Sequence, residues 1–134
     1  MRVIMLTICL LASLSCAAHS DDDIAAARTI ISSQADAFGR DDDAAAFAFA
    51  APALQEMFQQ PATFMAMVKR SYAPVYRHKS FEFGEARAMD GKIMQNVHIR
   101  DADGELWEAL YTLERQPDGS LRITGCTLLK MAGA

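Results

Sequence analysis

Three turn signals spaced along the second half of the chain constrain its fold more than any other feature. Asp90 and Gly91 form a two-residue pair of the kind that closes a tight hairpin, because both tolerate a positive φ. Asp101, Ala102, Asp103 and Gly104 read as a slightly longer hairpin loop ending in glycine, as do Gln116, Pro117, Asp118 and Gly119. Between them lie residues 80–89, 92–100, 105–115 and 120–130, each with strand-like alternation. Consecutive hairpins predict an antiparallel meander. One face of such a sheet is apolar and must be covered, and the only material available is the preceding chain.

That preceding chain reads as helical. Ser20 with Asp21, Asp22 and Asp23 predicts an N-terminal cap, since carboxylates suit the positive end of a helix. Ile24, Ile31 and Phe38 then recur at sevens, Ala27 and Ala35 fill the same stripe, and Gly39 is expected as a left-handed stop. Asp41, Asp42 and Asp43 repeat the capping signal before a second helix at 44–51 carrying Phe47, which Pro52 ends. A short turn with Leu54, Met57 and Phe58 comes next. Pro61 opens a further helix with Phe64, Met67 or Val68 and Tyr72 on one side, and Pro74 closes the helical half. The Asp triplets also invite a calcium reading, but a cage needs oxygens spread around an ion with a turn glycine at a fixed place. Capping explains both without metal. The expected fold is therefore α+β, with N-terminal helices packed in the concave face of a curved four-stranded antiparallel meander, a cone or cystatin-like roll.

The first residues read as a leader. Arg2 is the cationic start, and residues 3–14 run without charge into the small residues Ser15, Cys16, Ala17 and Ala18. A helix needs roughly 20 apolar residues to cross a bilayer, and this core has about a dozen. Residues 1–20 are thus expected to be a signal peptide, cleaved after Ala17, Ala18 or Ser20, with residues 21–134 forming a single periplasmic or secreted domain with no stable membrane insertion. Lipid attachment at Cys16 is disfavoured because Leu14 is displaced by one position from the usual motif. Of three cysteines, Cys9 and Cys16 fall in the leader, so the mature chain keeps only Cys126 and has no internal disulfide. Its plain role is that of a small buried hydrophobe.

Strand parity assigns the faces. Ile93, Gln95, Val97 and Ile99 share one side of the second strand, and Trp107, Ala109, Tyr111 and Leu113 one side of the third. Phe81 and Phe83 point together in the first strand, and Glu85 and Arg87 continue their parity. Leu121 and Ile123 agree in the fourth until Gly125, where a bulge is expected. Leu106, Leu110 and Cys126 or Leu128 fall on the opposite face, a candidate homodimer surface or a set of scattered surface residues.

Helices packed into such a meander resemble the nuclear-transport-factor-2-like cone fold, shared by ketosteroid isomerase, scytalone dehydratase and polyketide cyclases. The strings IISSQADAF (30–38), FAFAAP (47–52), MVKRSYAPVYR (67–77) and ALYTLERQPDGSLRITGC (109–126) more closely resemble a bacterial domain-of-unknown-function family, number 4864. That resemblance covers almost all of the mature chain. It implies the fold and carries no settled activity, so no catalytic residue comes with it.

Acid–base chemistry in a cone needs an Asp, Glu or His in an apolar hollow. His98 and Glu108 have outward parity and His78 precedes the meander, which leaves Glu85 as the one catalytic candidate, for an isomerase or dehydratase. Its plain alternative is a rim ion pair with Arg87. The sequence has no metal-ligand spacing, glycine-rich phosphate loop or nucleophile elbow, so neither metal nor cofactor is expected. A binding module has more to draw on. Gln95 and Tyr111 are polar handles among hydrophobes, either for a small ligand or as a pair of satisfied core hydrogen bonds. Lys69, Arg70, Arg77 and Lys79 with Tyr72 and Tyr76 crowd one segment that could form an anion-accepting lip, or a solvated turn paired with the acidic helices. Tyr72, Tyr76, Gln95, Trp107, Tyr111, Arg70 and Arg77 are thus the expected ligand contacts, for a small apolar or anionic molecule. A net charge of −4 and an exported location argue against nucleic acid, and acidic flanks on the long helix argue against a membrane-surface role. A dimeric interaction protein with no ligand is the third reading.

Overall fold

The computed structural model describes residues 15–132; the leader core at 3–14 lies outside them. Helices come first: α1 (Ser15–Gly39), α2 (Asp43–Ala48), α3 (Pro52–Phe58), α4 (Pro61–Ser71) and α5 (Ala73–Tyr76). Four strands complete the chain: β1 (His78–Met89), β2 (Lys92–Asp101), β3 (Leu106–Arg115) and β4 (Leu121–Lys130). They form one antiparallel sheet in the order β1-β2-β3-β4, an α+β architecture with the helices against one face. Each strand lies within two residues of where the turn signals place it. Asp90 (φ 52°) and Gly91 (φ 75°) both take the left-handed region, which a two-residue turn needs to match the twist of its strands.

The helical half departs from expectation at its boundaries. The long helix begins at Ser15, so Asp21, Asp22 and Asp23 lie inside it and cap nothing. Alanine-rich chain upstream continues the helix, and propensity overrides the capping signal there. The expected processing points also fall within this helix. The second triplet does cap: the Asp42 carboxylate accepts from the Ala45 amide at 3.0 Å. The left-handed residue between α1 and α2 is Asp41 (φ 55°), not Gly39, because aspartate tolerates that region when its side chain is anchored. Pro52 opens α3 as its first residue as well as stopping α2, and Pro74 sits inside the short α5.

The core lies between α1, α4 and the inner sheet face. Ala27, Ile31 and Phe38 of α1 and Phe64, Met65 and Val68 of α4 pack over Ile93, Val97, Ile99, Ala109 and Leu113. Two bulges decide which side chains share this face. Phe83 pairs with Val97, but Ala86 pairs with Gln95, so one extra residue enters β1 at Gly84 and Glu85. Parity flips there, Ala86 and Ala88 take the inner positions, and Glu85 and Arg87 turn out to solvent. The second bulge lies at the expected glycine: Thr112 pairs with Gly125 and Leu113 with Ile123. It turns Cys126 and Leu128 inward, opposite Tyr111 and Ala109, and so removes them from the outer face. Leu106 and Leu110 remain outside, half-buried, near the exposed Leu129 and Met94.

The edge of β4 is partly closed by main chain. Ala50 forms a parallel bridge with Ile123, where the Ala51 amide donates to the Ile123 carbonyl at 2.8 Å and the Ile123 amide to the Phe49 carbonyl at 2.9 Å. Further along, the Tyr72 hydroxyl donates to the Cys126 carbonyl at 2.7 Å.

Candidate functional site

Closing the β4 edge with residues 49–51 has a geometric effect. The chain then runs through α3 and back through α4, and these helices stand off the sheet at one end. Between them and the β3–β4 pair is a cavity of about 280 Å³. Leu54, Met57 and Phe58 of α3 and Phe64, Met67 and Val68 of α4 form its outer walls. Tyr111 and Ile123, with Gly125 and Cys126 of the second bulge, form its floor, and Gln34 and Phe38 of α1 close one side. The bulge contributes directly: without the extra residue, Cys126 would face away.

Aromatic rings set the shape of the walls. Phe64 is the hub, with ring centroids 5.4 Å from Phe47, 5.6 Å from Phe58 and 6.2 Å from Phe38, all tilted or edge-on. α3 has no buried residue of its own, and Met57 is 71% exposed at the mouth.

The polar groups at the cavity are neutral. Burial pushes the Cys126 thiol up to about 12, well beyond physiological pH. Burial, then the neighbouring Cys126, raises Tyr111 far above the usual phenol range, and burial raises Tyr72 as well. Tyr111 and Cys126 sit directly opposite one another across the β3–β4 pair. Gln34, 4% exposed, donates from Nε2 to the Ala46 carbonyl at 3.1 Å. Among the described residues, no Asp, Glu, His, Lys or Arg lines the cavity. Chemically, this arrangement offers shape, dispersion and uncharged hydrogen-bonding groups.

The seven expected ligand contacts separate into three places. Tyr72 and Tyr111 line the cavity. Arg70, Tyr76, Arg77 and Trp107 line a second, more open cleft of about 470 Å³ between the α4–α5 corner and the β2–β3 end of the sheet. Gln95 is in neither. It is fully buried, and its carboxamide serves the β1 bulge: Nε2 donates to the carbonyls of Asn96 (2.6 Å) and Gly84 (3.1 Å), while Oε1 accepts from Arg28 Nε at 2.9 Å. Arg28 also donates to the Gly84 carbonyl at 3.3 Å and lies over the Phe83 ring. Gln95 therefore holds the backbone rather than a guest. Glu85, the catalytic candidate, is exposed on the outer face for the same reason, since the bulge that Gln95 fastens turns it away.

One carboxylate, Asp41, pairs with two of the four cations of the basic segment. Asp41 accepts from the Tyr76 hydroxyl and from Arg77 Nη2 at 3.0 Å, with Lys69 Nζ at 4.0 Å. The Tyr76 hydrogen bond, then the Arg77 charge, hold the Asp41 carboxyl below its usual range. Arg77 also donates to the Phe38 carbonyl at 2.9 Å and stacks 3.9 Å from the Tyr76 ring centre. Asp101 and Asp103 occupy the facing wall of the cleft, and Asp101 accepts from Trp107 Nε1 at 2.9 Å. The cleft thus sets Arg70 and the Asp41-paired Arg77 against the carboxylates of Asp101 and Asp103, a lining of mixed charge.

Helical spacing places Tyr72 and strand parity places Tyr111 among the lining residues, but neither finds Gln34, Leu54, Met57 or the inward Cys126. Gln34 carries a usable signal, since it falls within the apolar stripe of Ile31, Ala35 and Phe38, as Gln95 falls among Ile93 and Val97. The α3 residues carry none, because helix-to-sheet spacing is a tertiary property.

A family model described as "Domain of unknown function (DUF4864)" matches residues 20–134. No curated protein and no solved structure matches the chain.

Proposed function

This chain belongs to the DUF4864 family, and we propose that it is an exported small-ligand-binding domain of the cell envelope, taking one small, largely apolar molecule in the cavity between α3–α4 and β3–β4. The observation that carries this reading is the cavity itself. Close-packed interiors rarely leave 280 Å³ between helices and sheet, and ligand sites are concave, mostly apolar and provided with a few fixed polar groups. A lining without carboxylate or imidazole among the described residues favours binding over acid–base turnover. The export part is supported by the leader pattern and by a family match that begins at residue 20, beside the expected processing point. No helix among the described residues is long and apolar enough to cross a membrane.

The test is saturable uptake of an uncharged apolar fluorophore by the purified protein, with one site per chain. Val68→Phe, which fills the cavity from α4, abolishes uptake while circular dichroism shows an intact fold. Leu54→Phe does the same from the more exposed α3 if the first variant misfolds. Equal uptake by the native chain and a folded, filled variant overturns the proposal.

A further inference from the structure

The rings around the cavity narrow the guest beyond merely apolar, an inference that rests on the proposed binding function. Size sets the scale. An apolar cavity of about 150 Å³ takes up benzene, so 280 Å³ is the space of about two fused rings.

The lining then favours one kind of ring. Five of its 15 residues, Phe38, Phe58, Phe64, Tyr72 and Tyr111, are aromatic, against 8% of the whole chain. They come from α1, α3, α4, the end of α4 and β3, so they surround the space instead of forming one stacked cluster. On the helical side, Phe64 meets Phe38 and Phe58 at 6.2 and 5.6 Å between ring centres. On the sheet side, Tyr111 packs edge-on to Phe81 at 6.4 Å, and Tyr72 is fastened through its hydroxyl to the Cys126 carbonyl. Among the described residues no ring pair joins these phenylalanines to the two tyrosines, and the cavity lies between them. A flat ring in that gap pairs with both sides, at the centre separations of about 4.5–7 Å that aromatic pairs adopt. The thioethers of Met57 and Met67 line the same space and also favour a polarizable guest. A saturated ring of the same skeleton meets these walls through dispersion alone. We infer that the guest is a flat aromatic compound of about two fused rings, seated between the helical phenylalanines and the two tyrosines of the sheet side.

The experiment uses naphthalene and decalin, which share a fused two-ring skeleton and differ in being aromatic or saturated. Headspace gas chromatography over the purified protein gives the affinity of each. Dividing by the cyclohexane–water partition coefficient of the same compound removes what plain apolar burial contributes. Two aromatic pairs predict that the corrected affinity for naphthalene exceeds that for decalin by at least about fivefold. Phe58→Leu, a change in a helix with no buried residue, lowers this ratio at least about twofold while circular dichroism shows an intact fold. Phe58→Tyr, which keeps the ring, leaves the ratio at its native value. A native ratio below about twofold, or a ratio that a folded Phe58→Leu chain leaves unchanged, overturns this inference and leaves the binding function intact; the native ratio decides by itself if that variant misfolds. If neither compound binds, or both bind equally to a folded Val68→Phe chain, the binding function itself falls.

Discussion

Gln95→Leu tests the mechanism that shapes the sheet. The substitution keeps the volume and burial of the side chain but removes every polar contact that Gln95 itself makes at the β1 bulge. The carbonyls of Asn96 and Gly84 lose donors at 2.6 and 3.1 Å, and Arg28 Nε loses its acceptor at 2.9 Å. Gly84 keeps only the Arg28 contact at 3.3 Å. Neutral hydrogen bonds contribute about 1 kcal/mol each and charge-assisted ones about 1.5–3 kcal/mol. Against this, leucine adds apolar burial of about 1 kcal/mol relative to a carboxamide stem. The net loss is about 2–4 kcal/mol, a large part of the roughly 5–15 kcal/mol that holds a domain together. In urea, with a slope of about 2 kcal/mol/M, the midpoint moves down by about 1–2 M. Circular dichroism through the urea transition measures it. A double-mutant cycle with Arg28→Met separates the pair, with an expected coupling of about 1–2 kcal/mol. If Gln95→Leu unfolds within about 0.5 kcal/mol of the native chain, the range of an ordinary surface change, the bulge is held by something other than this carboxamide.

The same geometry sets four further outcomes. Cys126 ionises in the unfolded chain near pH 9 but only near 12 when folded, so stability falls as pH rises through that interval; thermal midpoints measured from pH 8 to 12 show the fall, and Cys126→Ala makes it shallower. Asp41 is held below its usual range by Tyr76 and Arg77, so its ionised form stabilises the fold above about pH 4 and that contribution is lost as pH drops through the lowered value. Asp41→Asn, which still tolerates the positive φ, lowers the thermal midpoint at pH 7, and its difference from the native chain narrows as pH falls through the lowered value. Arg77→Ala destabilises by about 1–2 kcal/mol through the lost hydrogen bond to the Phe38 carbonyl and the lost stacking on Tyr76, whereas Arg70→Ala stays within about 0.5 kcal/mol; equal urea midpoints for the two would refute the assignment. Gly91→Ala costs about 1–2 kcal/mol because alanine resists φ 75°, read by the same urea titration.

The strands are legible in the sequence because turn chemistry is local: Asp90 and Gly91 carry their conformation in their own backbone preferences. Parity is legible as far as each bulge. Gly125 announces the second bulge, since Leu128 and Leu129 visibly break the alternation after it. Gly84 gives no such warning, because Phe81, Phe83, Glu85 and Arg87 alternate without interruption, and the flip shows only in the pairing of Ala86 with Gln95. The consequences are unequal. The first bulge moves Glu85 from the expected hollow to solvent, and the second moves Cys126 from the outer face to the cavity floor. Helix starts are legible at Asp42 and not at Ser20, because a cap acts only where the chain upstream does not itself favour helix. The mouth of the cavity is not legible at all. Leu54 and Met57 come to share a cavity with Tyr111 only through the position of α3 between two prolines, and no local pattern encodes that separation.

The short parallel bridge at Ala50 does more than shape one end of the molecule. An uncovered terminal strand is a template on which identical chains stack, and here residues 49–51 occupy that template over the first part of β4. Were this tether to swing away, exposed amides and carbonyls would be free to recruit a neighbour and seed fibre growth. The same three residues that let the next helix stand clear of the sheet therefore also guard part of its β4 edge.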